Sequence, residues 1–424
     1  MTTSTLALII VAAILAQIAI VMLLRFYRSK HQYRDLDQRT IDTEIISKPD
    51  AATRSSAGQA TSHLAWEGFK EFVVQRREME DTDNTACSFY LVPTDGKPLA
   101  AFRPGQFLTF KLQIEDPDTH ALKSVVRCYS LSDAPRPDYY RVSIKRNSAP
   151  ADQPYAPPGV SSSFFHDHVQ EGSQLLVKAP SGHFHLMESE PLPIVLIGGG
   201  IGITPMLSIL NTVLERGIDR ELWLYYGVRN GDEHIMKAHL QMLARTHDNF
   251  HLHVCYSAPN EKDREAVDYQ HNGRVAIPLL RATLKLMRYQ FYVCGPKPMM
   301  ESIVPGLEDW GVNSDDIYYE SFGPASLIKH EKATSSGTEE PITVTFSHSG
   351  KSILWDPVAD SLLEFAEANN IEVDSGCRAG SCGSCQTAFK GGEVDYSQEA
   401  DADVVPGHCL LCISRPKSNL TLDI

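Results

Sequence analysis

The pattern of apolar and polar residues sets the first segment of the chain apart from the rest. From Leu6 to Leu24 nineteen consecutive residues carry no charge, and Gln17 is the polar interruption. As a helix this run would measure about 28 Å, close to the hydrocarbon thickness of a bilayer. Basic residues follow it directly, at Arg25, Arg28, Lys30, Arg34 and Arg39. Because residues 1–5 lack the positive charge of a signal peptide, we predict a transmembrane helix over residues 5–25, a single-pass anchor in the inner (cytoplasmic) membrane that leaves the rest in the cytoplasm.

Residues 26–65 show no apolar periodicity, and their composition is typical of a flexible linker. Order is expected to begin near Trp66, where short β-branched and aromatic runs alternate with turn residues. This spacing predicts an antiparallel β-barrel over residues 66–188. The predicted strands are Phe69–Arg77, Thr85–Pro93, Phe107–Ile114, Val125–Ser132, Tyr139–Lys145 and Gln174–Ala179, with a helix over Ser161–Val169.

From Leu192 onward, apolar strands alternate with helical patterns. That alternation predicts a parallel, doubly wound α/β sheet over residues 189–325. Its predicted strands are Ile194–Ile197, Glu221–Val228, His251–Ser257 and Gln290–Cys294, and its predicted helices are Thr204–Arg216, Glu233–Thr246, Ile277–Leu286 and Lys297–Trp310. The polar residues 326–340 are expected to form a second linker, and residues 341–424 a third compact unit.

Composition and charge narrow the classes of function. Apolar residues make up 42% of the chain and charged residues 22%, the balance of a globular protein with buried cores. The formal net charge of −14 argues against a nucleic-acid partner, because such a partner requires a basic surface. Five of the nine cysteines lie between residues 377 and 412, and the spacing of four of them suits metal ligation better than disulfide pairing.

Four of these cysteines form the strongest motif in the chain. They are spaced C-x4-C-x2-C with one distant member, at Cys377, Cys382, Cys385 and Cys412. The spacing is typical of plant-type 2Fe–2S clusters, in which one tight loop supplies three thiolates and its glycines turn backbone amides towards the sulfides. Structural zinc is the alternative, but it favours paired C-x2-C knuckles. Cys409 is a second candidate for the fourth ligand; we predict Cys412, because the apolar run around it indicates a strand-borne ligand.

Two motifs in the barrel region carry groups suited to a flavin nucleotide. At the end of a predicted strand, Arg127 can neutralise a phosphate, Tyr129 can pack on the isoalloxazine ring, and Ser130 can hydrogen-bond near its redox-active nitrogen. Further along, Gly159 precedes Ser161 and Ser162 at the start of a predicted helix, where amides and hydroxyls can bind a pyrophosphate.

Two motifs of the α/β region suit a dinucleotide. The first strand leads into a glycine-rich turn that ends with Thr204 at the start of a helix, and backbone without side chains can approach a pyrophosphate there. The predicted contacts in this turn are Gly199, Gly200, Gly202 and Thr204. Pro205 stands where a G-x-G-x-x-G motif would have its last glycine. A later strand ends in Cys294, Gly295 and Pro296, at the edge where doubly wound sheets bind their ligands.

In this order the motifs resemble those of the ferredoxin–NADP reductase superfamily with a C-terminal plant-type ferredoxin domain. The arrangement is similar to reductases of the phthalate dioxygenase type. The segments 127–133 and 319–324 are similar to the reductase half of flavohaemoglobins. The resemblance implies an α+β (β-grasp) fold for residues 341–424 and an enzyme whose residues at the site of hydride transfer are Ser130, Cys294 and Phe322. By the same resemblance Arg127, Tyr129 and Ser130 bind the flavin, and Gly200, Thr204, Cys294 and Gly295 bind the nicotinamide nucleotide.

The resemblance also bears on cofactors and partners. Ser161 and Ser162 match the FAD-binding members, so FAD is favoured over FMN. Ala258 and Pro259 follow the strand that ends at Ser257, where NADPH enzymes usually place a cation; NADH is therefore favoured, with NADPH as the alternative because of Arg229. We expect electrons to pass from NADH through FAD and the 2Fe–2S cluster to a membrane-associated acceptor protein such as an oxygenase, hydroxylase or desaturase. A component of a quinone-linked NADH dehydrogenase and a redox sensor are the alternatives.

Overall fold

The computed structural model of the chain describes residues 66, 68–115, 120–148, 158–188, 190–322, 341–376, 378, 380, 382–397, 400, 402 and 404–424. They belong to one compact body that extends from Thr61 to Ile424. We distinguish three folded units within it: the barrel, the α/β unit and a third, C-terminal unit. The predicted transmembrane helix over residues 5–25 and the predicted linkers over residues 26–65 and 326–340 lie outside the described residues. Among the residues that are described, no helix is both long and apolar enough to span a bilayer.

The first layer is an antiparallel barrel sheet. In the described part of the chain its strands are β1 Lys70–Met79, β2 Ala86–Pro93, β3 Phe107–Glu115, β4 Leu122–Ser130, β5 Tyr140–Lys145 and β6 Gln174–Val177. They run in the order β4-β3-β6-β1-β2-β5. The outer strands approach each other where Leu131 bridges Val142 of β5, so the sheet curls into a barrel. Helix α1, Val160–His168, contributes Phe165 to the barrel core. The predicted antiparallel barrel sheet is confirmed.

The second layer is a parallel sheet in the order β10-β9-β8-β7-β11-β12. Its strands are β7 Ile194–Gly199, β8 Leu222–Val228, β9 Phe250–Tyr256, β10 His271–Asn272, β11 Gln290–Gly295 and β12 Ile317–Ser321. Its helices are α2 Ile203–Glu215, α3 Lys237–Thr246, α4 Ile277–Thr283 and α5 Lys297–Asp309. Leu196 packs with α2 on one face of the sheet, whereas Val195 and Ile197 pack with α5 on the other. This alternation confirms the doubly wound class and places a crevice at the carboxyl ends of β7 and β11, where the strand order reverses.

Some element ends differ from the sequence prediction. Helix α3 begins at Lys237 and not at Glu233, because Met236 adopts a left-handed backbone with φ of 53° that cannot continue a right-handed helix. Helix α4 ends at Thr283, where Leu284 turns to an extended conformation. Strands β10 and β12 were not predicted.

The third unit is a mixed sheet packed on helix α6, Leu362–Ala368. Its strands are β13 Thr343–Phe346, β14 Lys351–Leu354, β15 Gln386–Lys390, β17 His408–Leu410 and β19 Leu420–Leu422, with a separate pair β16 Val394–Tyr396 and β18 Ser414–Pro416. Phe365 of α6 packs with Phe346 of β13 in the core of this unit. The arrangement agrees with the α+β (β-grasp) prediction.

Candidate active site

The barrel and the α/β sheet meet at a hydrogen bond between two polar side chains. Ser130, at the end of β4, donates from Oγ to Oε2 of Glu320 on β12 at 3.2 Å. Burial raises the pKa of the Glu320 carboxyl to about 8, and the hydrogen bond from Ser130 opposes this rise. At neutral pH the carboxyl is therefore largely protonated, and this junction carries little charge.

Strand register brings Cys294 to the same place. In the parallel sheet Cys294 pairs with Gly198 of β7 on one side and with Glu320 of β12 on the other. Cys294 is fully buried. Its pKa is raised well above that of an ordinary thiol, first by burial and then by the nearby carboxyl of Glu320. The side chain is therefore a neutral thiol, which adds no charge to the crevice.

Phe322 follows β12 two positions after Glu320. The residue is exposed over 37% of its surface, so an apolar side chain is presented beside the junction of the two units. Ser130, Cys294 and the end of β12 thus lie together, as expected if they form one site.

In the flavin motif on β4, the Tyr129 side chain is held by its neighbours and the Arg127 side chain is exposed. The ring of Tyr129 contacts those of Phe110 and Phe165 edge to face, with centroids 5.8 and 5.1 Å away. Burial keeps the pKa of its phenol well above the usual value. Arg127 is exposed and donates from Nη1 to the Val126 carbonyl oxygen at 2.7 Å. Its charge is thus available at the surface of the barrel.

The start of α1 provides unsatisfied hydroxyl groups. A Cβ on Gly159 would lie 2.8 Å from both the Asn147 Cβ and the Ser162 Oγ, so the close turn needs glycine. The Ser162 hydroxyl donates to the Gly159 carbonyl oxygen and accepts from the Asn147 amide, and it is occupied within the protein. In contrast, the buried Oγ atoms of Ser161 and Ser163 have no hydrogen-bond partner among the described residues. A nucleotide phosphate would satisfy them, and this site fits the predicted flavin nucleotide.

The glycines of the turn after β7 serve two purposes. A Cβ on Gly202 would collide with the Cys294 carbonyl oxygen, and one on Gly199 would lie 2.7 Å from the Met299 Sδ. Gly202 therefore lets the turn after β7 lie against the end of β11, and Gly199 leaves room for Met299 of α5. Gly200 has a φ of 52°, and a Cβ there would meet no atom within 4 Å. It is the member of the turn that leaves its backbone open to a ligand.

The remaining predicted contacts frame this turn. Thr204 is buried at the start of α2, and its hydroxyl donates to the Ile201 carbonyl oxygen at 3.0 Å. A Cβ on Gly295 would strike the Met299 side chain, and Pro296 caps helix α5. Thr204, Gly295 and Pro296 therefore shape the crevice, whereas Gly200 faces open space. The open backbone beside a helix start fits a pyrophosphate.

Three of the predicted cluster ligands belong to the core of the third unit. Cys382, Cys385 and Cys412 are buried, and they are not in disulfides. The Gly380 amide donates to the Cys412 Sγ at 3.3 Å, and a hydrogen bond with Cys412 lowers the pKa of the Cys385 thiol. Amide donation and an easily ionised thiol are what an iron–sulfur ligand set requires. Cys377 lies outside the described residues.

The path of the cluster loop corrects one argument from the sequence. Cys412 lies in the 3-10 turn Leu411–Ile413 and not on a strand, whereas Cys409 is the strand residue, on β17. The turn aims Cys412 at the loop. Burial raises the pKa of the Cys409 thiol to about 12, which disfavours the thiolate that a ligand needs. Within the described residues, no three His, Cys, Asp or Glu side chains are gathered around a single metal-ion position; a two-iron cluster distributes its four thiolates over two metals.

Sequence reasoning missed Glu320 as a site residue. The segment was noted for its similarity to flavohaemoglobins, and Phe322 was chosen from it. No local pattern marked it, because β12 mixes buried, half-buried and exposed positions and Glu320 itself is half-buried.

Family models match two parts of the chain. A model described as an oxidoreductase NAD-binding domain matches residues 196–304, and one described as a 2Fe-2S iron-sulfur cluster binding domain matches residues 344–417. They cover β7 to α5 and the cluster loop.

Similar proteins match longer parts of the chain. The chain is 41% identical over 264 residues to a flavohemoprotein of Halalkalibacterium halodurans. The aligned residues make up 62% of this chain and 62% of that one. The chain thus spans less than two thirds of the curated relatives it matches. The FAD/NAD-binding domain of a nitric oxide dioxygenase from Vibrio cholerae matches with 32% identity and a TM-score of 0.52, over 61% of this chain and 100% of that one. A phthalate dioxygenase reductase matches with 27% identity and a TM-score of 0.51, over 84% of this chain and 98% of that one.

Proposed function

The chain belongs to the ferredoxin–NADP reductase superfamily and is an oxidoreductase that uses FAD, NADH and a 2Fe–2S cluster, and from this premise we propose that it supplies electrons to an oxygenase-type acceptor protein at a membrane. The convergence of Ser130, Cys294 and Glu320 where the barrel meets the α/β sheet supports the entry of electrons from NADH, and the similarity to a phthalate dioxygenase reductase supports the acceptor class. A bound FAD would supply the link between two-electron and one-electron chemistry, because a flavin can take up a hydride and give its electrons singly, whereas a 2Fe–2S cluster carries one electron at a time.

The residues of the α/β unit receive the dinucleotide. Gly200 opens its backbone to the pyrophosphate at the start of α2, and Gly202 allows the turn after β7 to lie directly against the end of β11. The neutral thiol of Cys294 leaves an uncharged surface for the nicotinamide ring. These groups orient the dinucleotide, and none of them needs to exchange a proton during hydride transfer.

The residues of the barrel hold the flavin. Ser161 and Ser163 offer their unsatisfied hydroxyls to its phosphates, and Arg127 neutralises charge there. Tyr129 is fixed by its aromatic neighbours, and Ser130 is fixed by Glu320, so both are preorganised for the isoalloxazine ring. Phe322 covers the site from the end of β12 and excludes water until the nicotinamide ring takes its place.

We further propose that residues 5–25 anchor the enzyme in the inner membrane, with the catalytic units in the cytoplasm. The uncharged run from Leu6 to Leu24 and the basic residues after it support this arrangement. Confinement at a membrane raises the effective concentration of a membrane-bound acceptor. In membranes from cells that produce the full chain, the protein should resist extraction by alkaline carbonate, and release into the wash would contradict the anchor.

The acceptor class is tested by comparing two electron acceptors. In wild-type enzyme, NADH should reduce cytochrome c, a one-electron protein acceptor, and Cys382→Ser should abolish this activity while bound FAD remains. The alternative is a component of a quinone-linked NADH dehydrogenase. Rapid reduction of a soluble quinone analogue by NADH in membranes, without an added protein acceptor, would favour that alternative and contradict our proposal.

A further inference from the structure

The loop that carries Cys382 contacts the barrel through a charged hydrogen bond. Lys178, directly after β6, donates from Nζ to the Cys382 carbonyl oxygen at 2.9 Å. The backbone of Lys178 is fixed by the hydrogen bond from its amide to the Thr109 carbonyl oxygen at 2.8 Å. Its ammonium group also lies 5.3 Å from the centre of the Phe69 ring, a cation–π distance. Two contacts within the barrel thus aim this side chain at the cluster loop.

A second contact brings the loop close to the flavin strand. A Cβ on Gly376 would lie 3.1 Å from the Val126 Cγ1 and 2.8 Å from the Cys382 Sγ. Glycine therefore lets the loop backbone fit between the barrel and the thiol. Val126 belongs to β4 and directly precedes Arg127, the first residue of the flavin motif. One strand thus contacts the cluster loop and carries the flavin-binding side chains.

From these contacts we propose that Lys178 is a positioning residue for internal electron transfer, which docks the cluster loop on β4 beside the flavin site. The inference rests on the proposed function and names the contact that joins its two redox sites. Electron transfer needs the two sites to stay close, and the hydrogen bond fixes the backbone of a cluster ligand. The ammonium charge next to Cys382 also favours the reduced cluster, which carries one more negative charge.

Lys178→Met tests the proposal, with Lys111→Met as the matched control. Lys111 lies against the same Phe69 ring, at 5.8 Å from its centre, so both variants remove a lysine from one aromatic neighbour. Lys178→Arg keeps a cationic donor and should restore part of the function. Three quantities are measured on the cofactor-loaded enzyme: the rate of electron transfer from flavin to cluster after rapid mixing with NADH, the midpoint potential of the cluster, and amide hydrogen exchange in residues 382–390.

In Lys178→Met we expect the flavin-to-cluster rate to fall by about threefold to tenfold, the effect of losing a partly exposed charge-assisted hydrogen bond. The cluster potential should decrease, and exchange in the loop should increase. Reduction of the flavin by NADH should match the wild type, because Lys178 does not line that crevice. Lys111→Met should resemble the wild type in all three quantities.

The proposal is overturned if Lys178→Met is indistinguishable from Lys111→Met in the flavin-to-cluster rate, in the cluster potential or in the hydrogen exchange of the loop. The exchange and potential measurements do not require turnover. If the wild type fails to reduce its cluster with NADH, the proposed function is wrong, and the docking contact is still decided by exchange and potential. The two claims therefore fail in different measurements.

Discussion

Glu320 is a carboxyl group at the junction of the barrel and the α/β sheet, and its protonation state sets the charge of the site. Burial raises its pKa to about 8, from 4.5 for an ordinary glutamate. The neighbouring thiol of Cys294 also stays neutral. At neutral pH the crevice between the two units is therefore nearly uncharged, which suits a planar ring that must stack closely on another.

The raised pKa makes a prediction about stability and pH. Well below pH 4.5 the carboxyl is protonated in both the folded and the unfolded chain and contributes no penalty. As pH rises from 4.5 to about 8 the unfolded carboxyl loses its proton before the folded one, so folding stability decreases over this window. Glu320→Gln should remove that decrease, and its urea midpoint should exceed that of the wild type increasingly towards pH 8. A constant difference between the two proteins from pH 5 to pH 8 would contradict the raised pKa.

The two C-terminal cysteines give a second prediction at this scale. Cys412 accepts a hydrogen bond from the cluster loop, whereas Cys409 is a buried thiol on β17. Cys412→Ser should lose the cluster, measured as acid-labile sulfide per bound FAD, because a hydroxyl is a poor ligand for iron. Cys409→Ala should keep the sulfide content and lose about 1 kcal/mol of stability from the small cavity. Cluster loss in Cys409→Ala with retention in Cys412→Ser would reverse the assignment.

Individual site residues were predictable from the sequence where they belong to a short local motif. Ser130 and Cys294 follow from short motifs at strand ends, whereas Glu320 became recognisable as a site residue through its pairing with Cys294 across β11 and β12. That pairing joins residues far apart in sequence, and local patterns carry little information about it. Cys412 was chosen for a strand it does not belong to, because an apolar run does not distinguish a strand from a buried 3-10 turn.

At the scale of elements, the turn between β7 and α2 shows how backbone packing shapes a binding site. Gly202 lies against the carbonyl of Cys294, and Gly200 faces open space. The alternation of strands and helices was predictable because periodicity depends on local burial. The exact ends of helices were less predictable. Helix α3 starts later than predicted because Met236 takes a left-handed conformation, and no pattern of side chains indicates that conformation.

Alanine at these two glycines should separate packing from binding. Gly202→Ala forces the turn after β7 away from the Cys294 carbonyl at the end of β11, and we expect it to lower the thermal midpoint and to abolish reduction of FAD by NADH. Gly200→Ala places a left-handed alanine in open space, which costs about 1 kcal/mol, and its methyl group should raise the KM for NADH. The assay is NADH oxidation with ferricyanide, beside thermal unfolding. An unchanged KM in Gly200→Ala would show that this backbone does not face the dinucleotide.

At the scale of the whole molecule, three folded units bring two redox sites to one strand. Strand β4 carries the flavin motif and contacts the cluster loop at Val126. The order of the units was predictable from the motifs, which are continuous in sequence. Their docking was not, because it depends on single contacts between distant residues, such as Lys178 with Cys382.

The central claim is that electrons enter at the crevice between the barrel and the α/β sheet and leave through the cluster. Anaerobic rapid mixing of the wild type with NADH, followed by absorbance and by electron paramagnetic resonance of frozen samples, tests it most directly. We expect FAD to bleach first and the reduced 2Fe–2S signal to follow, whereas Cys382→Ser should show the first phase without the second. Cluster reduction that precedes flavin bleaching, or a cluster that stays oxidised in the wild type, would contradict the account.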